Sequence, residues 1–324
     1  MQSTKSRLKP VADPLDRVGF VSKGDRTHSD AIHGRLLDHK AQQDYYDKIV
    51  ERYLRFCSDH QKDFDQAHAS LPLSSSNDAT SNPPAAQPVA RTKSDPAEKH
   101  IPPPSTELSK LLLSLRKLRE GILATSRTTP PAFAQRVHYF SIRMSILAQH
   151  PPSYFPSLEY CLRKLHSKSH PMADSEVKDL ISYLILDYAC RQQNMVSAFE
   201  LRARARRDYD FQSQTVDRVL TALMHDNWVA FWQVRKSVDS YLRAVMNWAV
   251  DRVRRHALKA VGSAYLNVNV NWIIGGCTGD DRKWTWEELT RKENLGWQLE
   301  DDKVIIRVPK ARPSSKTGPI PAGK

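Results

Sequence analysis

Four guanidinium groups crowd into six positions of the segment "FELRARARRDYDF", at Arg202, Arg204, Arg206 and Arg207. A guanidinium is a planar, permanently charged fork that takes phosphate or carboxylate oxygens two at a time. On a helix Arg202 and Arg206 share one side while Arg204 and Arg207 lie on others. Tyr209 and Phe211 follow closely and can stack on bases. Phosphate capture by such a group gives affinity that is salt-sensitive and independent of base sequence. The acidic neighbours Glu200, Asp208 and Asp210 explain the run nearly as well, through ion pairs within the chain. Both readings stand on sequence.

A second basic set lies in "VDRVRRHALKAVGSAY", residues 250–265. At about 100° per residue, Arg252, Arg255 and Lys259 fall on one outward stripe, opposite Val253, Ala257, Ala260, Val261 and Ala264. The small apolar face lets a neighbouring helix approach closely, so it is expected to be core. Arg254 falls at the edge of that face and is expected to snorkel or to pair with a carboxylate. Asp251, four residues before Arg255, is expected to offset part of its charge. A stripe of this kind is either an ordinary solvated face or a surface for nucleic acid or an acidic partner.

Other chemistries find no motif. The "GGCTG" run at 275–279 is glycine-rich but lacks the Lys-Ser/Thr that completes a phosphate-cradling loop. The 12 His show no His-Glu-x-x-His spacing, and no Ser, Cys or Asp sits in a recognisable nucleophile motif. Cys57, Cys161, Cys190 and Cys277 are scattered, without the clustering of a zinc site or the density of a disulfide framework. They read as reduced thiols. Trp228, Trp232 and Trp248, and then Trp284, Trp286 and Trp297, read as core anchors rather than as a ligand cage. No catalytic, cofactor-binding or metal-binding residue is expected, and the chain does not read as an enzyme.

The elements that carry these residues are mainly helical. Of 324 residues 40% are hydrophobic, and the formal charge is 49 − 36 = +13. The excess is uneven: 16 − 15 over residues 1–110, 10 − 6 over 111–190, 13 − 7 over 191–259 and 10 − 8 over 260–324. It therefore peaks where the two basic sets lie, which permits an anionic partner. Residues 1–35 are polar and aperiodic and are expected to be disordered. From 36 to 68, Tyr45, Ile49 and Tyr53 recur every fourth residue beside Tyr46, Val50 and Leu54, which predicts an amphipathic helix that either docks on the body or binds a partner. Residues 69–105 hold eight of the 20 Pro within 71–105 and read as a flexible linker. Helices are predicted at 107–124 with Thr106 as cap, then 131–149, 153–167, 174–193, 195–207, 212–225, 227–236 and 237–262, a helical-repeat bundle over 106–262.

After Gly262 the pattern changes. Leu266, Val268 and Val270 alternate with asparagines, which predicts a strand. "IIGGCTGDDRK" reads as a loop after at most a helical turn. Thr285 with Glu288 fits a capping box at a helix start. "GWQLEDDKVIIRVP" reads as a hairpin with Trp297, Leu299, Val304, Ile306 and Val308 along it. Strand, short helix, helix and hairpin over 263–310 is the order of a winged helix, and 311–324 reads as a disordered tail. No segment near roughly 20 apolar residues predicts a membrane span, and the first 20 residues lack the apolar stretch of a signal peptide, so the cytoplasm or nucleus is the expected location.

With these elements in place the chain resembles the PCI domain, shared by scaffold subunits of the proteasome lid, the signalosome and translation initiation factor 3. The resemblance runs from about 107 to 310 and is closest over 190–310. It is carried by Asn227, Trp228, Phe231 and Trp232 on a short helix, by Arg252, Arg255, Ala257, Leu258 and Lys259 on a long one, and by Ala264 and Tyr265 at its end. GANP-like mRNA-export scaffolds and their relatives have a similar pattern. The loop at 275–283 and the helix at 36–67 depart from it. The resemblance implies a non-catalytic scaffold of TPR-like helices and a winged helix, joined to other subunits of a multiprotein complex through the hairpin residues 297, 299, 304, 306 and 308. For the export scaffolds it also implies RNA or DNA binding through basic surfaces, here Arg202, Arg204, Arg206, Arg207, Arg252, Arg255 and Lys259.

Overall fold

A computed structural model describes Leu15 and residues 34–71, 103–279 and 284–307. The segments expected to be unstructured, 1–35, 69–105 and 311–324, lie outside these residues except at 15, 34–35, 69–71 and 103–105. The chain is mainly helical, and it divides into two compact units. The first comprises 1–184 with 240–245, the second 185–239 with 246–324.

The first unit begins with a 3₁₀ turn, Gly34–Leu37, and α1, His39–Asp59. Asp38 caps α1 by accepting the Ala41 N–H at 3.2 Å. The helix predicted to run unbroken through 67 stops at His60, passes through a 3₁₀ turn, Gln61–Asp63, and resumes as α2, Phe64–His68. α1 docks on the body. Tyr45, Tyr46, Ile49 and Phe56 form one core with Leu108, Leu111, Leu115, Leu118 and Ile122 of α3, Pro104–Ala124. That leucine spacing puts five side chains on one helix face, and each fully buried one contributes about 1.5–3 kcal/mol. Thr106 is not the cap of α3. Proline fixes φ near the helical value and lacks an N–H that would go unbonded anyway, so Pro104 occupies the first position, after Pro103.

Polar contacts set how α1 meets α3. Arg52 forms a two-pronged ion pair with Glu107, with Nη2 2.9 Å from Oε2. The buried Gln42 amide donates to Leu36 O at 2.6 Å and Thr125 Oγ1 at 2.8 Å, and accepts from Thr129. At Gly121 a Cβ would stand 2.9 Å from Leu36 O, so only glycine permits this approach. The unit continues with α4, Pro131–Leu147, and α5, Pro151–Tyr160, both again opened by proline. α5 then ends in a π turn, Cys161–Leu165. Most of α6, Asp174–Leu186, belongs here too, with two acidic residues in its first turn where the helix dipole favours them.

In the second unit α6 passes into a π turn, Asp187–Arg191. Then come α7, Met195–Tyr209, α8, Gln214–Met224, and α9, Trp228–Ser237. Each has a side-chain cap: Asn194, Ser213 and Asn227 accept the N–H groups of Ser197, Val216 and Ala230. α10, Ser240–Ala264, gives most of its length to this unit. Three further residues form β1, Asn267–Asn269.

Two expectations for 263–283 are corrected. Val270 is not strand, and "IIGGC" is not loop: α11 runs Val270–Cys277. The Asn269 side chain accepts the Asn271 N–H at 2.9 Å and turns the chain from strand to helix, a local effect that apolar alternation conceals. Thr285 and Glu288 do form the capping box that opens α12, Trp286–Glu293. β2, Gln298–Glu300, and β3, Lys303–Ile305, follow. The sheet order is β1-β3-β2, antiparallel throughout, with Val268 and Leu299 both opposite Val304. Ala257, Leu258 and Val261 of α10, Ile273 and Cys277 of α11, Leu289 of α12 and Val304 make a separate core.

Candidate anion-binding and assembly surfaces

The 202–207 run is not one surface. Arg202 forms a two-pronged ion pair with Asp217 of α8, with Nη2 2.6 Å from Oδ2, and this contact holds its guanidinium charged above its ordinary range. Its carboxylate lies fifteen residues on, not at Glu200, Asp208 or Asp210. Arg204, Arg206 and Arg207 are exposed and have no ion-pair partner among the described residues. Phe211 is buried, so it packs the fold and cannot stack on a base.

On α10 the predicted stripe is also divided. Arg255 and Lys259 are exposed, and among the described residues Arg255 donates only to the Asp251 backbone carbonyl, at 3.2 Å. Arg252 is half-buried, donates to Ala189 O at 3.3 Å, and lines a small pocket of about 110 Å³ with Trp228 and His256. Val253, Ala257 and Val261 are buried as expected, and Leu258 joins them. Ala260 is half-buried and Ala264 exposed, because the apolar face ends before the helix does.

Arg254 is the residue whose role the helical wheel understates. It is 1% exposed. Its Nη1 is 2.7 Å from Asp251 Oδ1 and 3.1 Å from Glu293 Oε1, and its guanidinium lies 4.6 Å over the Trp284 ring. It does not snorkel to water; it joins α10 to α12. Asp251 therefore serves Arg254 and Lys292, not Arg255. Burial pushes the Asp251 carboxyl up, but hydrogen bonds from Arg254 and Lys292 outweigh it and hold the carboxyl below the usual range. Glu293 carries no motif, and only its fold position reveals it.

The hairpin residues expected to mediate assembly separate in the same way. Val304 is 0% exposed and is core, so it is not an available contact, contrary to expectation. Trp297 and Ile306 are half-buried against that core, and Val308 lies outside the described residues. Leu299, on an edge strand, is 40% exposed. Sequence patterning missed the larger apolar exposure beside the opposite edge. Tyr265 and Leu266 lead into β1, and Trp272 of α11 is 46% exposed with its ring 6.0 Å from that of Tyr265. Leu266, expected to share one face of a strand with Val268 and Val270, precedes the strand, and its carbonyl accepts the Ile306 N–H at 2.8 Å.

The aromatic anchors hold in part. Trp232 and Trp284 are buried, Trp228, Trp286 and Trp297 pack half-buried on the C-terminal core, and Trp248 is half-buried. Gly279, at φ +54°, lies against the Trp232 indole so closely that a Cβ would stand 1.8 Å from it. The four cysteines are free thiols, and burial pushes Cys161 and Cys190 up to about 12 and Cys277 up to about 11. No helix among the described residues is long and apolar enough to cross a membrane. No protein-family model matches the chain, and no curated protein matches it.

Proposed function

We propose that the chain is a non-catalytic scaffold subunit of the PCI type, of the proteasome-lid, initiation-factor or mRNA-export kind, working in the cytoplasm or nucleus. In this reading residues 106–262 are the helical-repeat part, and the elements from the end of α10 to β3 are the winged helix. The observation that carries it is the order helix, strand, two helices, hairpin, with the last strand between the other two. The exposed Tyr265, Leu266 and Trp272 at one sheet edge supply an apolar contact beside unpaired strand backbone, a combination suited to a partner protein. Purification from cells under mild conditions should bring down partners in stoichiometric amounts that survive nuclease treatment. Leu266→Asp with Trp272→Asp should release them without moving the melting temperature. A partner-free monomer would sink the proposal.

A second reading is RNA or DNA binding beside that module. It is favoured by the five exposed cations Arg204, Arg206, Arg207, Arg255 and Lys259, none with an ion-pair partner among the described residues. Arg202 and Arg252 serve the fold in this reading. Binding to single-stranded RNA should weaken with salt, with a log–log slope of about −0.7 for each phosphate neutralised. Charge reversal at all five should abolish it, and unchanged binding by that variant would refute it.

A further inference from the structure

Within the first unit α3, α4 and α5 line an open pocket of about 750 Å³, inside the range of roughly 300–1,000 Å³ usual for small-molecule sites. Leu112, Leu113 and Leu123 of α3 and Pro156 and Tyr160 of α5 form an apolar wall. Two polar side chains on the pocket have nitrogens without a partner among the described residues, one buried and one half-buried. His138 is 5% exposed, and neither of its ring nitrogens has a hydrogen-bond partner among the described residues. Arg119 donates from Nη1 to Ser141 Oγ at 2.7 Å and to Ser153 O at 2.8 Å. No carboxylate pairs with it among the described residues, and its Nε and Nη2 make no hydrogen bond there. The half-buried guanidinium keeps a free edge toward the pocket, and an unsatisfied buried imidazole beside it is costly.

We propose that this pocket binds a small apolar monocarboxylate, its carboxylate on the free edge of Arg119, beside the His138 ring, and its hydrocarbon along the leucine wall. The free edge of Arg119 is the planar fork that matches a carboxylate. Burial lowers Arg119 to about 10 and His138 to about 3, so at neutral pH the first is charged and the second is neutral. The remaining charges at the rim cancel, because Arg116 pairs with Glu120 at 3.0 Å. One uncompensated positive charge suits a monoanion, and Glu120 on the same rim disfavours a doubly charged phosphate. His150 on the wall is occupied by Ser153 Oγ at 2.9 Å. Three helices supply most of the lining and satisfy their own backbone, so an extended peptide finds no strand edge to pair with.

The test is titration of the full chain with decanoate, decan-1-ol and decylamine below their micelle concentrations, followed by calorimetry and by the His138 ring resonances. Decanoate should bind at least ~10-fold more tightly than the alcohol, the worth of a charge-assisted contact of roughly 1.4 kcal/mol. The amine should not bind. Arg119→Lys, which keeps the charge but loses the fork, should bring decanoate close to the alcohol and leave the alcohol unchanged. If that variant fails to fold, Leu123→Glu decides instead: it lies on the exposed rim, leaves the core intact, and should weaken decanoate more than decanol. Equal affinity for acid and alcohol in the wild type, no shift of the His138 ring, or wild-type decanoate binding in folded Arg119→Lys or Leu123→Glu would each overturn the proposal. So would preferential binding of a short leucine-ending peptide that depends on its free C-terminal carboxylate, which would assign the pocket to protein termini.

Discussion

Adjacent arginines on α10 have opposite jobs. Arg254 is held between Asp251 and Glu293 and against Trp284, whereas Arg255 meets one backbone carbonyl and water. Removing a buried charge partner leaves the other charge stranded, so Arg254→Ala should cost about 3–5 kcal/mol in chemical denaturation. Arg255→Ala should stay within about 0.5 kcal/mol. His138 provides a second contrast. Its folded-state value near 3, set first by burial and then by Arg119, lies below the ordinary 6.5. The folded protein therefore stays neutral there while the unfolded chain takes up a proton. Stability is fully present above about pH 6.5 and falls as pH drops, by at most about 1.4 kcal/mol per unit from this group. Melting temperatures from pH 7 to 5 should fall more gently in His138→Phe than in the wild type; parallel curves would show that His138 is not buried neutral. The helical wheel separated Arg254 from Arg255 and allowed Arg254 a carboxylate, but Glu293 as that partner and the burial of His138 were not legible, since both depend on what other helices bring.

Among the elements, the helices announced themselves through their period, and few of their ends did. The capping box at Thr285 and Glu288 was readable because both residues lie within one turn. Thr285→Ala should cost about 1 kcal/mol, measurable by denaturation. The strand-to-helix turn at Asn269 was not readable, because Leu266, Val268 and Val270 keep an alternating pattern across it. The close approach of Gly279 to Trp232 was equally hidden. There the backbone is in the left-handed region and the indole occupies the space of a Cβ. Gly279→Ala must therefore shift Trp232 or the chain, and should cost at least about 2 kcal/mol. A fluorescence change of the same size as in the wild type, at an unchanged denaturation midpoint, would disprove that contact.

For the whole molecule, thiol chemistry reports on both units at once. Cys161, Cys190 and Cys277 are buried, with burial raising each thiol, while Cys57 is part-exposed. Alkylation at pH 7.5 should modify Cys57 first and the other three only on unfolding, as peptide mapping would read. The sequence by itself determined that the chain is mainly helical, the leucine face of α3 and much of the apolar face of α10, and where the positive charge concentrates, because periodicity and charge are local properties of a helix. Only the tertiary structure decided which charges remain free. Arg202 found Asp217, Arg252 found Ala189, and Arg254 found Glu293, while Arg204, Arg206, Arg207, Arg255 and Lys259 were left to solvent. It also divided the expected interface, burying Val304 while leaving Leu299 exposed, and it exposed Tyr265, Leu266 and Trp272 outside the hairpin. The physical reason is common to both. A side chain's exposure and its ion-pair partner depend on residues distant in the chain, and no local spacing carries that information.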